Sequence, residues 1–511
     1  MIRLTGMNSG LDTDSMVKEL VNAYEKKGQK TKNAKTKHEW KTEIWTGLNK
    51  KIKAFNSKVK SMQFSTSYSA KKTTSSNENK VSVVAKENAV KGTQTITVDQ
   101  LAKTSYITSK KLELKGADGN TIDGKVTSNT KFSELGFEDA AHTITVKQGD
   151  KSVTLDTNAD TTVGEFVSKL KAFGLDASFD ENNGRFFISA KESGEKNDIT
   201  FSSDNPAVLD KLGLTAKSGA SVIKGEDAII HLNGAEFKSS SNSFDINGLA
   251  INVKGLSDGE QITLTTDTDT DAIYNNIKSI VSEYSKLINE LSKLYNADSA
   301  RKFDPLTDEE KDAMTDDEVE KWETKIKDSL LRRDSNIASV MSAMKNSAMD
   351  TYVVGEKKDK DGNIVVPGTK MTLADFGIGT LSYFASGDNE KSALHIFGDA
   401  DDSDVSGETN KLKAAIAANP DSVADFFSQL MTNMSEQFNK LTTSTTNRSY
   451  GNFYDDKKVK SEMTAYEKKV SDFETYLADI EDKYYKQFTA MEKAMAKLNS
   501  TQSQLGSYFG Q

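Results

Sequence analysis

The amino-acid sequence predicts a multidomain α+β fold: terminal coiled-coil helices and a helical bundle domain, with two nested, inserted β-rich head domains. Three observations carry this expectation. Apolar residues step by three and four near both ends of the chain, and between about Lys80 and Leu264 the period falls to two. The 511 residues carry only 36% hydrophobic side chains at a mean hydropathy of −0.59, which fits several small, well-wetted cores better than one large one.

Taken in order, Met1 to Leu11 holds too few apolar residues and too many Gly and Ser for a stable helix. Asp12 and Asp14 then flank Thr13 as N-cap and first-turn acids of a helix from about Ser15, whose stripe includes Met16, Leu20 and Tyr24. Gly28 weakens the middle of that helix. A second helix is expected from about Lys35 to Met62, with Trp45, Leu48, Ile52, Phe55, Val59 and Met62 on one face. The Ser/Thr-rich segment Ser65 to Ser76 ends it and marks a domain boundary.

Strands follow at Val81–Ala85 and Thr95–Leu101, and again between Ala228 and Leu264, where Asn233-Gly234, Asn247-Gly248 and Asp258-Gly259 are turn signals. The two sets are expected to share one sheet. Between them Tyr106 to about Thr215 is a nested module of short strands. Inside it, Thr162 and Glu165 form a capping box for a short helix through Phe166, Leu170 and Phe173, which Gly174 stops. Leu175, Ala177 and Phe179 alternate into a hairpin that turns at Glu181 to Gly184.

Helical spacing returns at Ile273, Ile277, Ile280, Tyr284, Leu287, Leu291 and Leu294. Two more capping boxes, Thr307 with Glu310 and Thr315 with Glu318, open helical segments in an acidic stretch. A helix through Ile337, Val340, Met341 and Met344 follows, then a small hairpin near 352–397, and Pro420 starts a helix through Val423, Phe426, Phe427 and Leu430. The last stretch, Tyr466 to Leu505, has the coiled-coil spacing. Burying each large apolar side chain contributes roughly 1.5–3 kcal/mol, so this seam needs a partner. The expected partner is the Trp45–Met62 stripe. The resulting division is terminal legs at 1–34 and 466–511, a helical domain at 35–75 and 270–465, a first head domain at 76–105 and 220–269, and an outer head domain at 106–219.

Composition narrows the function. A net charge of −9 and a pI near 5.3 disfavour nucleic acid and anionic membranes as main partners. The absence of cysteine excludes disulfides, zinc knuckles and thiol catalysis. No cleavable signal peptide and no membrane-spanning window is legible. The Lys-rich Lys18 to Lys60 and the acidic Asp304 to Glu323 read as solvated helix faces, or as a charge-matched contact between subunits.

His38, His142, His231 and His395 are far apart and have no partner at metal-ligand spacing. Gly119 to Lys125 imitates a phosphate loop, but Val126 stands where Ser or Thr is needed. Asp359 to Gly362 reads as a hairpin tip, and Asp399 to Asp404 as a solvated acidic loop. No catalytic, cofactor-binding or metal-ligating residue is assigned, no cofactor is expected, and the chain is read as a non-enzyme. A hydrolase site in the head would need a nucleophile or metal constellation that the sequence does not display.

Gly6-Met7-Asn8-Ser9-Gly10-Leu11-Asp12-Thr13-Asp14 resembles the opening motif of the bacterial flagellar filament cap family, also called hook-associated protein 2, with Met7 where the family usually has Leu. Gln100-Leu101-Ala102, Pro305 through Asp334, and Leu498 to Gly506 are similar to segments of the same family. Tyr106 to Thr215 matches mainly in architecture and is similar to a repeat of flagellin outer domains.

The resemblance implies a ring-shaped homo-oligomer at the distal tip of the flagellum. That ring would promote insertion and folding of exported flagellin, and the subunit would leave the cell through the flagellar type III export apparatus with a probable export chaperone. Oligomer and filament contacts are then expected along the terminal seams, at Leu11, Met16, Leu20 and Tyr24 and at Phe473, Leu477, Ile480, Tyr484, Phe488, Met491, Met495 and Leu498. The legs are expected to order when neighbours cover them. The alternative is a surface adhesin that binds host glycan or mucin through the head domains.

Overall fold

The computed structural model describes residues 10–138 and 140–509, so the Gly6 to Ser9 part of the opening motif lies outside the described residues. The chain divides into two compact units, one of residues up to Tyr68 and from Thr270 onward, the other Ser69–Asp269.

The first unit is helical. Its first helix runs unbroken over Thr13–Ser61, capped by Asp12, whose carboxylate accepts from the Ser15 N–H at 3.1 Å. The two helices expected here are therefore one, and Gly28 does not interrupt it. Helices follow at Thr270–Asn296, Asp308–Asp312, Asp316–Ser329, Ser335–Met349, Lys411–Ala418 and Pro420–Leu441, and the last helix spans Asp456–Phe509. Both expected capping boxes form: the Thr307 and Thr315 hydroxyls accept from the Glu310 and Glu318 N–H groups, and each Glu carboxylate accepts in return.

The Trp45, Leu48, Ile52, Phe55, Val59 stripe is fully buried, but its partner corrects the expectation. Phe55 packs against Tyr284 and Phe438 at centroid separations of 6.4 and 6.1 Å, so this stripe is the core of the helical unit rather than the cover of the last helix. The Lys-rich face of the first helix also finds partners within the chain. Lys37 pairs with Asp304 at 2.7 Å and Lys51 with Glu290 at 2.7 Å, ion pairs formed on a face that stays largely in solvent. The small hairpin pairs Tyr352–Val354 with Thr369–Met371, and Tyr352 meets Phe426 edge-on at 5.4 Å.

The second unit is β-rich and nested. Five antiparallel strands lie in the order Lys71–Ser75, Ile262–Thr268, Gly92–Gln100, Ala228–Leu232, Ala235–Ser239. Val81–Ala85 does not join them, contrary to the single sheet expected. It pairs with Leu249–Val253 in a separate three-stranded sheet, and a core including Val81, Ile96, Ile230, Ile251 and Leu264 fills the unit. Asn233 and Asn247 hold positive φ of 52° and 48° ahead of Gly234 and Gly248, the geometry that tight two-residue hairpins demand.

The inner module starts where Lys103 bridges Glu226. A four-stranded sheet (Ser221–Ile223, Thr104–Thr108, Arg185–Ser193, Asp176–Asp180) and a three-stranded one (Ile199–Ser203, His142–Gln148, Lys151–Thr157) share one core with the buried face of the Val163–Phe173 helix. The Thr162–Glu165 capping box forms, and Gly174 ends the helix at φ 111°. Phe166 is fully buried, 5.9 Å from Phe132 and 5.5 Å from Phe186.

Candidate functional site

The first and last helices lie against each other over much of their length. Tyr24 meets Tyr484, hydroxyl to hydroxyl at 3.5 Å, and Tyr476, edge-on at 6.2 Å. His38 faces Tyr466 at 5.5 Å and donates from Nε2 to the Val459 carbonyl at 2.8 Å. Trp45 stacks on Tyr454 at 5.2 Å. Contacts that rise along one helix as they fall along the other define an antiparallel pair, so Tyr466 to Tyr484 is covered by Tyr24 to His38.

Gly28 sits at the middle of this seam. A Cβ built there would lie 2.0 Å from Phe473 Cε1 and 2.4 Å from its Cδ1 and Cζ, so the ring rests on bare helix backbone. The same glycine that lowers helix propensity is what lets the two helices approach. The Tyr24 hydroxyl beside Tyr484 raises that phenol above its ordinary value.

The structure sorts the expected contact residues into two groups. Leu477 is buried, and Tyr24, Phe473, Ile480, Tyr484, Phe488 and Met491 are half-buried. Leu11, Met16, Leu20, Met495 and Leu498 remain exposed, as do Tyr476 and Leu505. Sequence reasoning missed Thr13, Val17 and Gly28, all buried on the first helix, and Glu492, whose carboxylate-bearing side chain is only 1% exposed. Thr13, Val17, Tyr24 and Gly28 recur at steps of four, seven and four, a stripe that was readable once its small members were counted.

The acidic loop also departs from expectation. His395 Nδ1 lies 2.7 Å from Asp402, and His395, Asp402 and Asp404 bring potential ligand atoms within 4.8 Å of one another. Histidine 395 is thus not isolated. Lys278 pairs with Asp399 at 2.7 Å and Asp401 at 2.5 Å, so part of the loop's charge is already met by a lysine. Burial opposes the Lys278 charge, and the two carboxylates outweigh it, leaving its pKa raised.

Residues 225–500 match the family model of the flagellar hook-associated protein 2 C-terminus, and residues 9–105 that of its N-terminus. The flagellar hook-associated protein 2 of Halalkalibacterium halodurans is 24% identical over 99% of this chain and 100% of its own. The A-type flagellar hook-associated protein 2 of Pseudomonas aeruginosa is 26% identical over 57% of this chain and 63% of its own. The crystal structure of the D1-D2-D3 domains of the flagellar cap protein FliD from Escherichia coli shares the fold, with a TM-score of 0.52 at 20% identity, covering 83% of this chain and 99% of that one.

Proposed function

The chain belongs to the flagellar hook-associated protein 2 family, and we propose that it is the oligomeric cap at the distal tip of a bacterial flagellar filament, a structural part and not an enzyme. The observation that carries the reading is the apolar surface left over once the two long helices have paired. Met16 and Leu20 on one helix and Met495 and Leu498 on the other stay exposed. Covering them offers on the order of 3–6 kcal/mol, which neighbouring subunits or flagellin would supply.

In this reading the paired helices are legs that contact adjacent copies and the growing filament, while the β-rich unit forms the plate. Insertion and folding of exported flagellin beneath the cap belong to the same reading. Export would use the flagellar type III apparatus with an export chaperone. No helix among the described residues is long and apolar enough to cross a membrane. The adhesin alternative gains no support from the comparisons, which name cap proteins.

The test is a strain lacking this chain. Filaments should be absent or stunted, with flagellin released to the medium, and the full chain should restore them while a Met16→Asp, Leu20→Asp variant should not. Immunogold label against Tyr106 to Thr215 should mark the free ends of filaments. Label along the shafts, or normal filaments without the chain, would refute the reading.

A further inference from the structure

Between Thr380 and Leu394 the helical unit carries a loop that holds aromatic side chains in solvent. Phe384 is 97% exposed and Tyr383 67%, with the two rings edge to face at 5.7 Å. The loop is braced. The Ala385 and Ser386 N–H groups both donate to the Ser382 carbonyl at 3.0 and 3.1 Å, and the Lys391 ammonium lies 3.9 Å over the Tyr383 ring. A turn built in this way keeps Phe384 uncovered instead of letting it collapse onto its own chain.

Beside the loop lies an apolar cavity of about 360 Å³, lined chiefly by Tyr284, Ala348, Met349, Leu373, Ile378 and Leu394. Met349 is 81% exposed, so the mouth is apolar as well. Lys345 stands in its wall and makes no ion pair among the described residues, while the aromatic loop carries Asp388 and Glu390. Thr380 and Lys391 line the cavity and also form the base of the loop. Asp388 already has Lys391 of the same loop at 3.9 Å, whereas Glu390 makes no ion pair among the described residues, so one chain presents both an aromatic plug with an unmatched acid and an apolar socket with an unmatched lysine.

We infer that this loop and this cavity form a contact between two copies of the chain, the Phe384 loop of one seated in the socket of the other. The inference rests on the self-assembling cap reading and adds to it a specific contact in the helical unit, separate from the leg seam. Two surfaces that match each other on one chain bring copies together, by reciprocal exchange or head to tail. Glu390 beside the plug meets Lys345 in the same seating.

Because the chain has no cysteine, single thiols report the contact cleanly. Full-length Ala385→Cys and Met349→Cys chains, mixed under assembly conditions and oxidised, should give a disulfide-linked dimer that neither gives alone. Adding Phe384→Ala to the first chain should abolish that dimer. A Ser471→Cys chain mixed with Met349→Cys gives the background, and sedimentation of the same samples reads the oligomer.

Oligomers with cross-linking at background would overturn the plug-and-socket contact and leave the cap reading standing. Monomers throughout would overturn both. An Ala385→Cys, Met349→Cys double variant that oxidises within the single chain would overturn the inference by showing that the loop closes on its own socket.

Discussion

Replacing Gly28 by Ala separates two opposed effects. In a solvated helix the change stabilises by about 1 kcal/mol, because glycine is the poorer helix former. In the seam the new methyl would stand 2.0 Å from Phe473 Cε1, inside any possible contact distance, so ring or backbone has to move by well over an ångström. Forcing extra volume into a packed contact costs about 1–3 kcal/mol, and a ring swung into solvent forfeits a similar amount of burial. The net expectation is a leg pair weakened by up to about 2 kcal/mol.

Amide hydrogen exchange of the full chain reads this directly. Peptides spanning residues 17–32 and 469–484 should exchange faster, by up to roughly 30-fold at a loss of that size. In a Phe473→Ala background the sign should reverse, with Gly28→Ala slowing exchange. Slower exchange from Gly28→Ala alone would mean that the ring is not seated on the helix, and the antiparallel seam would be wrong.

Three further outcomes follow from local geometry. Trp45→Ala removes a fully buried ring stacked on Tyr454 and should cost about 3–5 kcal/mol, seen as a lower urea midpoint for the helical unit. Thr162→Ala deletes the hydroxyl that accepts from the Glu165 N–H at 3.1 Å, and should cost about 1 kcal/mol in denaturation of the β-rich unit while Thr162→Ser stays near wild type. Asp456 is opposed by burial but accepts from the Ser449 N–H at 2.7 Å, which holds its carboxyl below the ordinary 3.8. Its contribution is full above pH 3.8 and is lost as pH falls through the lower folded value, so Asp456→Asn should flatten the acid side of the stability profile and leave a constant deficit near neutrality.

Local chemistry was the most legible part of this sequence. The capping boxes at Thr162, Thr307 and Thr315, the Asn-Gly hairpins and the proline start at Pro420 all depend on neighbours a few residues apart, and each formed as read. What covers an apolar face was not legible. The Trp45–Met62 stripe and the Tyr466–Leu505 seam have the same spacing, and spacing alone does not say that one faces Tyr284 and Phe438 while the other faces Tyr24 and Gly28. Tyr24 and Tyr484 are 460 positions apart, and their pairing is set by tertiary packing.

Gly28 misled for a related reason. Counted only as a weak point in the middle of a helix, it hid a stripe whose defining feature is the lack of a side chain. In the candidate site, apolar periodicity marked a seam, while which of its residues are covered within the chain and which stay exposed needed the fold.

The β-rich unit has doorways whose two posts touch. Its outermost pairing joins Lys71 to Thr268, and deeper in the same unit Lys103 bridges Glu226. Whatever is threaded through such a doorway leaves at the place where it entered, so a longer or shorter passenger alters closure by only about 0.6 kcal/mol per doubling of length. The two family models stop at 105 and resume at 225, almost at the inner posts. The outer module is therefore built to be exchanged: its size can change while the strands that frame the opening keep their register.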